Sequence, residues 1–341
     1  MIPWFEDFSV GDDFSNVPAV TITEGFAAVH QAIFGDRLRL PLNHVLNESV
    51  TGSKQALVNP SLVCNLAIGQ STVPSQRVMG NLFYRGLLLR QPVFVGDTLT
   101  TTTKVVALKQ NKIKEGRAAS GMVALEIHTT NQHGETVLLF WRCPMIPCQD
   151  PSANTGHADD FDTMPSEISR EDLLAAVPKW NFAPLLDTPV GSLFGTPFQL
   201  NVGERVEIEA RDTVCLAPEL VRLTQNLAMT HTDAERSVYG MRLVYGGHTI
   251  SIAASLLSRA IPSLVTLLGW YHCDHTAPVF EQDILRVAFT VLEQTSIEGA
   301  SLLKLHVEVF ATRGKNAPTN EVNVKVLDWN LSALAAEINS V

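Results

Sequence analysis

The 341-residue chain is 45% hydrophobic and 18% charged, with a formal charge of -10 and a mean hydropathy of +0.11. That is too long for one ordinary core and too apolar for a disordered protein, so two packed units are expected. The acidic balance and the lack of any Lys/Arg run exclude a surface built to neutralise nucleic-acid phosphates.

The N-terminus, "MIPWFEDFSVGDDF", carries acids where a signal peptide needs a basic region and then an apolar run, so a cytoplasmic location is expected. After an extended start and an irregular stretch, "PSLVCNLAIGQ" at Pro60 to Gln70 reads as an apolar helix. Strands are predicted at Asn81 to Leu89, Thr98 to Leu108, Gly121 to Thr130 and Thr136 to Cys143. Residues 149–172 follow, with seven acids and one base, so this stretch alone carries -6 of the -10. Polar and without apolar periodicity, it reads as the core of an acidic linker, 149–185, between units spanning 1–148 and 186–341.

In the second unit a helix is expected at Gly247 to Ala260, then strands at Val265 to Cys273, Ile284 to Glu293, Ser301 to Thr312 and Glu321 to Trp329. Leu243 to Tyr271 is the most apolar stretch, but Arg259 and Pro262 interrupt it. An arginine at a bilayer centre costs roughly 2.5–3.5 kcal/mol, so no membrane span is expected. The five cysteines are widely spread without a C-x-x-C pair and read as small core residues. In "HCDH", strand alternation puts His272 and Asp274 on one face and Cys273 and His275 on the other, so no metal site is expected there.

The two units resemble each other. "PVFVGDTL" at Pro92 returns as "PVFEQDIL" at Pro278, an offset of 186; "SVGDDF" near Gly11 returns as "NVGERV" near Gly203; Trp141 has a counterpart in Trp329, an offset of 188. Matches in one order at similar offsets indicate a duplicated unit. Each copy reads as a curved antiparallel sheet wrapped around one buried helix, an α+β double hot-dog.

Candidate chemistry lies in "RLTQNLAMTHTDAERSVYGMRLVYGGHTI", Arg222 to Ile250. Gly246 and Gly247 at a helix start can present backbone N–H groups, backed by the helix dipole, to an oxygen that becomes enolate-like. His231 can take a proton from water near neutral pH, with Asn226 five residues before it and Asp233 two after. Hydration of a double bond conjugated to a thioester needs such a set. A loop histidine and a Gly-Gly turn also occur as purely structural features.

On these residues the chain resembles the MaoC-like dehydratase family, related to R-specific enoyl-CoA hydratases. "WFEDFSVGDDF" is similar to the family's start, "PVFVGDTL" to its P-V-x-x-G-D-T-L strand, and "LVYGGHTI" to its I-A-H-G helix start. The motif D-x-N-P-x-H-x-D falls on Asn226 to Asp233; His231 and Asp233 match, Asn226 replaces the first acid, and Tyr245 replaces the histidine before the oxyanion glycine, Gly246. Asparagine cannot ionise, which leaves proton transfer to His231. The first unit has Asn59-Pro60 in place of Gly-Gly and reads as a degenerate copy.

The resemblance implies reversible hydration of a 2-enoyl-CoA with a short, branched or dicarboxylic acyl group, with no cofactor beyond the substrate's coenzyme A. Asn226 is expected to position water, His231 to exchange its proton, Gly246 or Gly247 to hold the oxyanion, and Asp233 to orient His231 or hold the loop. Arg222, Arg236 and Arg242 are candidates to meet CoA phosphates or a substrate carboxylate. An acyl-CoA-binding protein without turnover remains open, as does, further behind, a thioesterase. Neither predicted helix has the carboxylate that many hot-dog thioesterases carry there. The linked units form a pseudo-dimer, alone or within a homo-oligomer, with an acyl-CoA and neither nucleic acid nor membrane as partner.

Overall fold

A computed structural model describes residues 2–112, 116–165, 167–187 and 200–336. Among these, ten strands build one antiparallel sheet: β1 (Val20–Thr21), β2 (Gly80–Leu89), β3 (Thr98–Gln110), β4 (Ser120–Thr130), β5 (Thr136–Pro147), β6 (Arg205–Thr213), β7 (Leu264–His275), β8 (Ile284–Ile297), β9 (Ala300–Thr312) and β10 (Val324–Ala336). Their spatial order is β1-β3-β4-β5-β2-β7-β10-β9-β8-β6, one five-strand motif joined to its reversed copy along the β2–β7 seam. The protein has the double hot-dog fold. Among the described residues no helix is long and apolar enough to cross a membrane.

Two buried helices fill the concave side. The N-terminal central helix, Pro60–Gln70, starts where the Asn59 side chain accepts the Ser61 N–H at 2.8 Å, and Pro60 takes the first helical position. All eleven of its residues are buried. Its polar members are satisfied: Asn65 donates to Ser251, and Gln70 meets Thr101 and the Pro18 carbonyl. The C-terminal central helix, Gly246–Ala260, ends at Arg259, whose guanidinium reaches Asp212 at 3.1 Å and the Phe34 carbonyl at 3.3 Å.

The duplication is visible bond by bond. Val58 N–H donates to the Val93 carbonyl and Val244 N–H to that of Val279, both at 2.9 Å, with both residues shifted by 186. On the seam, the pair Tyr84–Cys273 maps by the same offset onto the pair Trp270–Leu87. Asn65 and Ser251, also 186 apart, touch each other, so the pseudo-twofold axis passes through the helix crossing.

The sequence-predicted helices and strands are present with small shifts. The last strand begins at Val324 instead of Glu321 and runs on to Ala336, because "NLSALAA" lies in a part of the sheet buried on both faces and shows no alternation. The acidic connection packs instead of spanning freely. Asp159 accepts the Leu108 N–H and Gln110 binds Ala153 and Thr155, while Phe182 and Leu185 are buried in one apolar cluster with Val265, Leu268 and Leu334. Its apolar residues are too irregularly spaced to register as periodic.

The helix crossing yields a stability test. A Cβ on Gly247 would lie 1.9 Å from Asn65 Oδ1 and 2.7 Å from the Tyr245 ring. Gly247→Ala is expected to destabilise the protein by about 1–3 kcal/mol of overpacking, read as a lowered urea midpoint. An unchanged midpoint would contradict this account of the crossing.

Candidate active site

The loop that carries the candidate residues is built on the other half of the molecule. After the helix Ala217–Leu223, Gln225 turns the chain in a left-handed conformation (φ 57°), and the Leu227 N–H donates to Thr72 Oγ1 at 2.8 Å. The Met229 N–H then binds the Gln76 carbonyl at 2.9 Å, and a single 3-10 turn, Met229–His231, delivers the histidine.

Asn226, His231 and Gly246 line one cavity of about 240 Å³, whose lining also includes Tyr84, Arg142 and His275. His231 Nδ1 donates to the Leu243 carbonyl at 2.8 Å, which fixes the tautomer and leaves Nε2 as a free acceptor. Burial pushes the imidazole down to about 4, against the Leu243 hydrogen bond, so the ring is neutral at pH 7. Asn226 Oδ1 accepts the Ala228 N–H at 2.9 Å. This alters the expected role: with the carbonyl engaged in the turn, the amide Nδ2 is free to hold water as a donor. Gly246 is the first residue of its helix after Tyr245, which makes no side-chain cap, and its N–H has no acceptor among the described residues.

Other expected residues fall elsewhere. Gly247 does not line the cavity; it sits against Asn65, where any Cβ would collide. Asp233 is exposed and caps the 3-10 turn Ala234–Arg236 through the Glu235 N–H at 2.9 Å, so it does not orient His231. Arg222 is 70% exposed with Glu219 at 4.0 Å, Arg236 and Arg242 are exposed, and none of the three lines the cavity. A loop turns its charged side chains outward, and sequence proximity to His231 carries no direction.

His275 was not among the expected site residues. At the end of β7 its Nε2 is buried without a partner among the described residues, 2.3 Å from where a Gly246 Cβ would be. Burial pushes it down to about 4, opposed by Asp274 and reinforced by His231. Strand alternation had placed it with Cys273 on the face opposite His272 and Asp274, without saying which face is inner or which helix start it would meet. Its strand neighbours point away: Asp274 pairs with Arg85 at 2.6 Å and His272 lies 3.5 Å from Asp328. Among the described residues no group of three potential metal ligands occurs.

No family profile matches the chain. In structure it is similar to a conserved Mycobacterium tuberculosis protein with a double hotdog fold (39% identity, TM-score 0.87, 98% of both chains). A MaoC domain protein from Chloroflexus aurantiacus superposes with a TM-score of 0.83 at 27% identity, again over 98% of both chains. These neighbours define the class, a MaoC-like double hot-dog protein. In sequence, β-methylmalyl-CoA dehydratase from C. aurantiacus is 30% identical over 350 residues, 97% of this chain and 96% of that one. Mesaconyl-CoA hydratase from Cereibacter sphaeroides is 29% identical, covering 92% of each. The chain belongs to this family of CoA-thioester hydratases and dehydratases.

The buried neutral histidines fix a pH dependence. His231, His248 and His275 are pushed down to about 4 and His30 to about 3, in each case chiefly by burial. Unfolded, each takes a proton near 6.5, so between about 6.5 and 4 the unfolded state holds more protons and stability rises with pH. Each contributes up to about 1.4 kcal/mol per pH unit inside that window and no slope above it. Urea midpoints should fall from pH 7 to pH 5 and level off above 7; a flat profile from 5 to 7 would contradict the neutral burial.

Proposed function

We propose that the chain adds water reversibly to a 2-enoyl-CoA thioester, a lyase reaction that uses no cofactor beyond the coenzyme A of its substrate. The observation that carries the reading is the convergence of a free His231 Nε2, a free Asn226 amide and the orphan Gly246 N–H on one cavity. Membership in a family whose named relatives hydrate or dehydrate CoA thioesters supports it. We place the reaction in the cytoplasm, where CoA thioesters are made and consumed.

In the hydration direction, Asn226 Nδ2 donates to the water oxygen while one water proton faces His231 Nε2. As the oxygen attacks C3, the imidazole takes that proton and negative charge moves to the thioester oxygen, where the Gly246 N–H and the helix dipole stabilise it. The imidazolium then protonates C2, so the elements of water are added and His231 returns to neutral. His275, with its proton on Nε2, supplies a second donor at the Gly246 side. Dehydration runs the same steps backwards. The cavity is smaller than the roughly 300–1,000 Å³ of drug-sized sites, which suits a short acyl group with CoA outside. No Asp or Glu lines it among the described residues, which leaves a thioesterase without a carboxylate base.

A panel of enoyl-CoA thioesters, followed by loss of enoyl absorbance, tests this. His231→Ala is expected to lower kcat by about 10²–10⁴-fold, and unchanged turnover would overturn the mechanism. Binding of acyl-CoA with no turnover of any thioester would instead identify a binding protein. Because His231 stays neutral until about pH 4, kcat/KM of the wild type should be level through neutral pH and fall only on the acid side, with its inflection well below 6.5.

A further inference from the structure

The cavity holds a charge that the hydration steps do not use. Arg142 comes from β5 and is 3% exposed, facing inward toward the turn that follows the N-terminal central helix. Its Nε donates to Ser71 Oγ at 2.9 Å, and its Nη2 to the Ser71 carbonyl at 2.6 Å and Ser75 Oγ at 2.8 Å. A guanidinium has five N–H bonds. Three are used, and both on Nη1 lack a protein acceptor among the described residues. No described ion pair includes Arg142, and no carboxylate lines the cavity.

The titratable groups acting on it are Tyr84, Tyr245 and Cys143, all held neutral by burial. Removing a cation from water without a counter-charge costs several kcal/mol, and buried charges are ordinarily paired. Three hydrogen bonds tie the turn in place but leave that charge uncompensated.

The repeat sharpens the point. Arg142 lies opposite Tyr84 and Leu125 in the sheet, and the repeat equivalents of those two, Trp270 and Leu305, lie opposite neutral Leu331. The corresponding cavity, lined by Leu57, Val58, Pro60 and Val93, has shrunk to about 30 Å³ against Trp180. The buried cation thus belongs to the half-site that keeps an open cavity.

We propose that Arg142 is the carboxylate subsite of this cavity: its Nη1 receives the distal carboxylate of a dicarboxylic enoyl-CoA whose thioester end lies at Gly246 and His231. The inference rests on the acyl-CoA reading above and assigns its specificity. A carboxylate there supplies the missing counter-charge and accepts the two unused N–H bonds, and Arg142 acts by positioning the acyl chain without taking part in proton transfer.

The test compares mesaconyl-CoA with tiglyl-CoA, which carries a methyl group where the first has its distal carboxylate. The wild type is expected to favour mesaconyl-CoA by at least about 100-fold in kcat/KM, a comparison that needs no variant. Arg142→Met should reduce that ratio to near one, and Arg142→Lys should keep part of it. Equal kcat/KM for the two thioesters in the wild type, or an unchanged ratio in a folded Arg142→Met, would overturn the proposal. If the wild type turns over neither, the hydratase reading is decided by the wider panel and the subsite by binding. Calorimetric binding then decides the subsite: a mesaconyl-CoA preference lost in Arg142→Met upholds it, and equal binding overturns it.

Discussion

The fold depends on one buried contact, the 2.8 Å hydrogen bond from Asn65 Nδ2 to Ser251 Oγ where the two central helices cross. Both groups are at most 2% exposed, so losing either would strand a desolvated polar atom at a cost of about 1–3 kcal/mol. Because the residues are repeat equivalents, the bond pins the crossing to the pseudo-twofold axis. The glycine at 247 lets the backbones approach there, and that approach aims the start of the second helix at the end of β7. The meeting of Gly246 with His275 therefore follows from a packing decision made one residue away.

The same axis explains why one duplicated sequence carries a single open cavity. By the offset of 186, Leu57, Val58, Pro60, Val63, Leu89 and Val93 correspond to Leu243, Val244, Gly246, Thr249, His275 and Val279. The first set lines the small cavity and the second the large one. The backbone frame is kept, as the paired Val58 and Val244 hydrogen bonds attest. What differs is chemistry: Pro60 has no N–H to offer, Leu89 has no ring nitrogen, and Trp180 of the connection lies where an acyl chain would need room. The open cavity in turn borrows Thr72, Tyr84 and Arg142 from the half that lost its own, so the degenerate copy is a structural component of the site.

Much of this frame was legible in the sequence, because it rests on local signals. The Asn59-Pro60 cap followed by an apolar run marks the first helix, strand alternation marks most of the sheet, and the strings near Pro92 and Pro278 and near Gly11 and Gly203 reveal the repeat. The Trp141–Trp329 match is one residue out of register, because Trp141 faces Glu126 and the equivalent of Glu126, His306, faces Asn330. His231, Asn226 and Gly246 were legible through motif spacing. The remainder depends on what faces what. Arg142 sits in "VLLFWRCPMIP", where a lone charge in an apolar strand is as easily a solvated edge residue until both faces are known to be covered. The packed connection escaped notice because Phe182 and Leu185 are isolated apolar residues in a polar stretch. The outward turn of Arg222, Arg236 and Arg242 depends on the docking of the loop onto Thr72 and Gln76, which lie about 150 residues away.

The replacement of the motif acid by Asn226 gains a physical reason from Arg142. An aspartate at 226 would bring a permanent negative charge into the lining of a cavity whose sole formal charge, among the described residues, is the guanidinium. Opposite charges in a poorly solvated cavity attract, so an internal carboxylate would compete with any anion that Arg142 is left to receive. Asparagine keeps the turn through its carbonyl and offers an N–H to water, yet leaves the guanidinium field intact. The cost is that no second base remains beside His231, whose neutral state is secured by the burial that the crossed helices and the docked loop impose.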